Sequence, residues 1–172
     1  MEIKPLVEAL LFVAEEPLPP AKIAEIIGAE TKDVRETLKL LQQEYASSEH
    51  GLQVMEIAKG YQFSTKPDLS PVIEKLFKGE KSYTLSQAAL ETLGIIAYRQ
   101  PVTRVDIETI RGVKVEGVMN TLQRRRFIRT VGRKDAPGRP ILYGTSKEFL
   151  KYFGLKDLSE LPRLTDNEEK QF

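Results

Sequence analysis

Chemistry at neutral pH usually calls for a histidine, a thiol, a working pair of carboxylates or a loop that cradles phosphate. This sequence of 172 residues offers little of any of them. Its one histidine, His50, stands in the polar run Ser47-Ser48-Glu49-His50-Gly51, which reads as a solvated turn. A turn of that kind supplies no neighbour to orient an imidazole for proton transfer. Glu15 and Glu16 are adjacent carboxylates, but they sit at a helix end before Pro17 and read as solvated charge. With no cysteine there is no thiol nucleophile, no disulfide framework and no thiolate metal site. A Gly-rich phosphate loop, a nucleophile elbow and a paired-histidine metal motif are all missing from the sequence. Catalysis is not expected, and neither is a cofactor.

Charge is the remaining chemical signal. Residues 99–139 hold eleven Lys and Arg against four acids. Within that stretch Arg125, Arg126, Arg129, Arg133, Lys134 and Arg139 are the candidates for contact with DNA phosphates. The helix that would enter a groove runs from Val115 to Gln123, and its first half is acidic and apolar, with arginines only at the far end. That placement suits phosphate contact or ion pairing better than base reading. At the equivalent place in the first half of the chain, Glu30, Asp33 and Glu36 would repel phosphate. A sequence-specific regulator, a salt-sensitive phosphate contact and a solvated or protein-facing basic surface all stay open.

The elements behind these residues emerge from an internal repeat. Glu8-Ala9-Leu10-Leu11-Phe12-Val13-Ala14 lines up with Glu91-Thr92-Leu93-Gly94-Ile95-Ile96-Ala97. One residue of gap later, Pro17, Ile23, Ile26, Gly28, Val34, Thr37 and Leu38 recur 84 positions on as Pro101, Ile107, Ile110, Gly112, Val118, Thr121 and Leu122. Each copy reads as three helices and then a hairpin. In the first, Ile3, Leu6, Val7, Leu10 and Ala14 share a helical face, and Pro17, Pro19 and Pro20 end that helix and open the next. Gly28 suits a left-handed helix end, Thr31 and Asp33 offer caps, and Val34, Leu38, Leu41 and Tyr45 stripe a third helix. Leu52 and Val54, then Tyr61, Phe63 and Thr65, alternate with polar residues around Ala58-Lys59-Gly60, which predicts a hairpin. A closing helix is expected over 70–77.

The second copy predicts a Ser86-capped helix with Ala89, Leu90, Leu93, Ile96 and Ala97, then a Thr103-capped helix with Ile107 and Ile110. Val118, Leu122 and Phe127 stripe its third helix and exit, strands are expected over 127–133 and 140–145, and Phe149, Leu150 and Phe153 mark a last helix. The expected fold is mainly α with small β-hairpin wings (α+β), as two tandem winged-helix domains over 1–79 and 84–164. A short polar linker over 78–82 joins them, and residues 165–172 form a fraying tail.

Composition fits an ordinary globular chain, with 41% hydrophobic and 30% charged residues. No apolar run approaches the roughly 20 residues that cross a bilayer, and the start lacks the pattern of a secretory signal. A cytoplasmic protein is expected. The formal charge of +1 hides an asymmetry, because residues 1–80 carry nine cations against fourteen acids and residues 81–172 carry seventeen against eleven. Different partners for the two halves follow naturally. In the first helix, Leu10-Leu11-Phe12-Val13 is apolar around most of its circumference. Either that helix is wholly buried, or Leu6, Leu10, Leu11 and Val13 form a homodimer interface.

Several strings then resemble one family, segregation and condensation protein B. They are Ser86-Gln87-Ala88-Ala89-Leu90-Glu91-Thr92-Leu93, Ile96 to Arg104, Ile110-Arg111-Gly112-Val113, Gly132-Arg133, Pro137-Gly138-Arg139-Pro140, Leu142-Tyr143-Gly144-Thr145 and Phe149 to Leu155. Leu158, Leu161-Pro162 and the opening Glu8-Ala9-Leu10-Leu11-Phe12 add to the likeness, which covers about residues 2–164. The resemblance implies a homodimer formed mainly through the first domain. It further implies a kleisin partner, segregation and condensation protein A, bound through the second domain near Tyr98, Arg99, Tyr143 and Tyr152. Through the kleisin, an SMC ATPase would be joined in a complex that condenses and partitions chromosomes, with DNA reached indirectly or by low-affinity contact. Tyr98 and Tyr152 serve equally well as caps on the domain core, and 137–140 as no more than a rigid wing tip.

Overall fold

Prolines set the first two helices. Helix α1 (Ile3–Val13) stops short of an extended stretch, and α2 (Pro20–Ile27) opens on Pro20, where the missing N–H would have had no helical partner anyway. Gly28 ends α2 at φ +69, and a Cβ there would meet nothing, so backbone conformation alone calls for glycine. Helix α3 (Thr31–Glu44) follows, without the side-chain caps expected from Thr31 and Asp33. Its N-cap is Glu30, Thr31 is already helical, and the Asp33 carbonyl accepts a bond from the Thr37 hydroxyl. Asp33 still places negative charge in the first turn, where the helix dipole favours it. The computed structural model describes residues 2–76 and 84–164; the linker over 78–82, Phe77 and the tail over 165–172 lie outside the described residues.

Strands β1 (Leu52–Ile57) and β2 (Gly60–Thr65) pair antiparallel, Leu52 with Thr65 through Ile57 with Gly60. The turn is Ala58-Lys59, both at positive φ, which is the twist a two-residue hairpin needs. Gly60 is therefore not a turn residue. A Cβ on it would lie 2.7 Å from the Pro17 carbonyl carbon and oxygen. That close approach lets Leu18 and Tyr61 exchange two backbone bonds of 2.9 and 2.8 Å. A 3-10 turn (Pro67–Leu69) leads into α4 (Ser70–Leu76), none of whose residues is buried.

Two compact units result. Among the described residues the first comprises 2–76 with Gly154–Asp157 and the second comprises 84–153 with 158–164. The short segment 154–157 thus groups with the first unit, although its place in the sequence puts it in the second domain. The physical reason is a pair of bonds, in which Ala58 N–H and Lys59 N–H donate to the Leu155 and Lys156 carbonyls at 2.9 and 3.2 Å. Lys156 also pairs with Glu56 at 3.1 Å. Val7, Leu11, Ile23, Val34, Leu38 and Leu41 centre the first core.

The second unit repeats the plan at the same offset. Helix α5 (Gln87–Arg99) is capped by Ser86, whose hydroxyl accepts from Ala89 N–H at 3.3 Å. Helix α6 (Arg104–Arg111) starts and ends 84 residues after α2, and Gly112 ends it at φ +67. Thr103 caps it through a reciprocal box with Asp106. Helix α7 (Glu116–Arg124) buries Met119 and Leu122, with Val115 buried just before it, while Val118 is only half-buried. Of the expected stripe, Leu122 and Phe127 are buried, while Val118 yields its place in the core to Met119. Strands β4 (Ile128–Arg133) and β5 (Ile141–Thr145) form the hairpin, and a third strand, β3 (Val102–Thr103), joins β5 to give the order β3-β5-β4. Helix α8 (Lys147–Phe153) and a 3-10 turn at Leu158–Glu160 complete the unit. The whole is mixed, helices with small antiparallel sheets.

Candidate protein-interaction surfaces

The first helix of each unit shows what differs between the copies. In α5 six residues are buried, Ala89, Thr92, Leu93, Ile95, Ile96 and Ala97. In α1 only Val7 and Leu11 are. Four residues apart, these two define the inward stripe. Leu6, Leu10 and Val13 line an open apolar groove with Ala9, Ile26 and Ile27. Leu11 is not part of it; at 2% exposed it belongs to the first unit's own core. Phe12, outside the expected interface set, stands 76% exposed beside Val13, also 76%. Its position, about 140° around the helix from Val7 at 100° per residue, was the available signal.

The four residues expected on the second unit fall in three places. Tyr98 and Arg99 line one groove with Leu158, Leu161 and Pro162. The Tyr98 hydroxyl donates to the Pro162 carbonyl at 2.9 Å. Tyr143 lines a separate depression with Arg104, Val105, Pro140 and Ile141. Tyr152, 44% exposed, packs edge-on against Phe127 and Phe153 with ring centres 4.9 and 5.1 Å away.

Two polar ties, unremarked in the sequence, hold this unit's surfaces in place. The Gln100 side-chain oxygen accepts from Thr145 N–H at 2.8 Å and from the Thr145 hydroxyl at 3.1 Å, joining the end of α5 to β5. Arg111 reaches back from α6 to the Ala88 carbonyl, the Thr92 hydroxyl and the Glu91 carboxylate, the last at 2.9 Å.

All six expected phosphate-contacting residues are exposed. They do not form one stripe. Arg129 pairs across the hairpin with Gly144 and Arg133 with Ile141, with a register shift between Thr130 and Gly132. Directly paired residues share a face and alternate residues switch face, so positions 141 and 144 lie on opposite faces, and Arg129 and Arg133 do too. Arg133 is turned to the Arg139 carbonyl at 3.0 Å, and Lys134 lies 3.9 Å from Asp106.

His50 is half-buried, its ring centre 4.6 Å from that of Tyr45. The Tyr45 hydroxyl donates to Glu8, which with partial burial pushes its pKa up to about 12. Among the described residues no three His, Asp or Glu gather as a metal-ligand cluster, and no helix is long and apolar enough to cross a membrane.

The model of one protein family, described as segregation and condensation complex subunit ScpB, matches residues 5–164. The chain belongs to that family. Among the relatives of this ScpB-family chain, segregation and condensation protein B of Moorella thermoacetica is 53% identical over 164 residues, covering 95% of this chain and 84% of its own. The protein of the same name from Symbiobacterium thermophilum is 51% identical over 159 residues, covering 92% and 72%. The crystal structure of ScpB from Mycobacterium tuberculosis is 35% identical, covering 90% of this chain and 96% of that one, with a TM-score of 0.44. As an ScpB-family member the chain is a subunit for chromosome segregation and condensation.

Proposed function

We propose that this chain is a non-catalytic scaffold, two winged-helix modules in tandem, that dimerises through the first and holds a kleisin through the second. The kleisin links it to an SMC ATPase at the nucleoid, in the cytoplasm, so that nucleotide chemistry belongs to that partner. One observation carries the reading: α1 leaves Phe12 and Val13 each 76% exposed, Val13 at the rim of an apolar groove, whereas α5, its counterpart, is buried on most sides. An apolar face of that kind on a small unit favours a second copy over water. Tyr98 and Tyr143, each in its own depression, supply the aromatic anchors that binding hot spots are made of.

Fluorescence anisotropy with a labelled kleisin segment tests the second half of this reading. Binding is expected to change little with salt, and Tyr98→Ala or Tyr143→Ala is expected to cost about 2 kcal/mol each, roughly thirtyfold in affinity. A chain that ignored the kleisin but bound one particular duplex tightly would instead be a DNA-binding transcriptional regulator.

A further inference from the structure

Residues 117–134 hold six cations and no acid. Helix α7 leaves Asn120, Gln123 and Arg124 exposed around a shallow depression; Arg125 and Arg126 follow directly in the chain and Arg129 stands second in β4, three residues on, all exposed. The only acid on α7 is Glu116 at its first position, and Arg104 lies 3.7 Å from that carboxylate. The hairpin's bulge separates Arg129 from Arg133, so the cations split into a corner at the end of α7 and a group at the hairpin tip. At the tip Lys134 lies 3.9 Å from Asp106 and Arg133 donates to the Arg139 carbonyl, while in the corner Arg124 lies 3.5 Å from the Thr121 hydroxyl on its own helix. None of the six residues of the corner is apolar, although Tyr152, 44% exposed, packs against Phe127, which lies between Arg126 and Arg129 in the chain.

We infer that this corner, Arg124, Arg125, Arg126 and Arg129 with Asn120 and Gln123, is a contact site for the phosphate backbone of duplex DNA. A peptide partner would need an apolar or aromatic anchor, which none of the corner's own six residues supplies. A duplex backbone needs only cations and hydrogen-bond donors, which it does. The first unit is an internal control, because the positions 84 residues earlier are Glu36, Lys39, Leu40, Leu41, Gln42 and Tyr45, with one cation among them. Contact of this kind adds a direct hold on the chromosome and does not depend on the kleisin-binding reading.

The test is anisotropy of a short fluorescent duplex of arbitrary sequence with the full chain across a salt series. Four phosphate contacts give a log–log slope of about −3.6, or roughly 150-fold loss of affinity between about 50 and 200 mM salt. Substituting Arg124→Gln, Arg125→Gln and Arg129→Gln together leaves one contact and brings the slope to about −0.9. The thermal unfolding curve of that variant should match the parent, since all three side chains are on the surface. A second variant, Arg133→Gln with Arg139→Gln, should leave the slope near that of the parent. The inference is overturned if the triple variant keeps the parent slope, or if the chain shows no affinity for the duplex at low salt. It is also overturned if labelled polyglutamate binds as tightly as the duplex through the same arginines, because the corner is then an acidic-peptide site.

Discussion

Replacing Gly60 by alanine probes a contact invisible in the sequence. The new Cβ would stand 2.7 Å from the Pro17 carbonyl carbon and oxygen and 3.0 Å from the Leu18 carbonyl carbon. Carbon atoms settle at about 3.5–4.0 Å, so the strand and the Pro17–Leu18 segment must part by about 1 Å. Those are backbone atoms, and they cannot rotate away. The bonds between Leu18 and Tyr61, at 2.9 and 2.8 Å, would stretch past useful length. Two such bonds contribute about 0.5–1.5 kcal/mol each, so Gly60→Ala should cost the first unit about 1–3 kcal/mol. Gly28→Ala, in open space at φ +69, should cost about 1–2 kcal/mol from backbone conformation alone. Urea denaturation followed by far-UV circular dichroism measures both. Hydrogen exchange separates them, since only Gly60→Ala should expose the Tyr61 and Leu18 amides. If Gly60→Ala unfolds at the parent midpoint with those amides still protected, the close approach is not what requires glycine.

Other consequences of the structure are equally direct. Gln100→Ala should destabilise the second unit by about 1–3 kcal/mol, because it leaves the buried Thr145 amide and hydroxyl without their acceptor; an unchanged denaturation midpoint would count against it. Thr103→Ala should cost about 1 kcal/mol through loss of the α6 cap. Bonds from the Thr103 hydroxyl and amide hold the Asp106 carboxyl below its ordinary range, so its contribution is present above that range and fades as pH falls through it. Parent and Asp106→Asn should therefore converge in melting temperature in acid. Tyr45 and Tyr61 both titrate above the ordinary tyrosine range, and ultraviolet absorbance should show a phenolate near pH 12 that Tyr45→Phe removes while leaving the raised Tyr61 step in place. The raised pKa of Tyr45 means a stabilisation held below the ordinary tyrosine range and lost as pH rises through about 12.

What was legible in the sequence follows from what repeats. The offset of 84 residues places α2 and α6 residue for residue, and Gly28 and Gly112 share a left-handed conformation that few other residue types tolerate. The Thr103 cap and both hairpins follow from turn residues and alternation. The phase of α1 was harder, because a quartet as apolar as Leu10-Leu11-Phe12-Val13 has no polar residue to mark the outer face. The pattern therefore leaves burial and a dimer interface equally open for Leu11, which is core, and does not mark Phe12 as the exposed position. The bulge at Val131 left no mark either, since one extra residue in a strand changes the face of every side chain after it without altering composition. Strand β3, two residues long, has no period to read. Gln100 and Arg111 are ordinary polar residues whose partners lie 45 and as many as 23 positions away in sequence.

Sedimentation equilibrium of the full chain, parent against the double variant Phe12→Glu with Val13→Glu, tests the proposed assembly most directly. Both side chains are exposed in a single copy, so the variant should stay folded and run as a monomer while the parent runs as a dimer. A parent that is monomeric at micromolar concentration, or a variant dimer as stable as the parent, would contradict it.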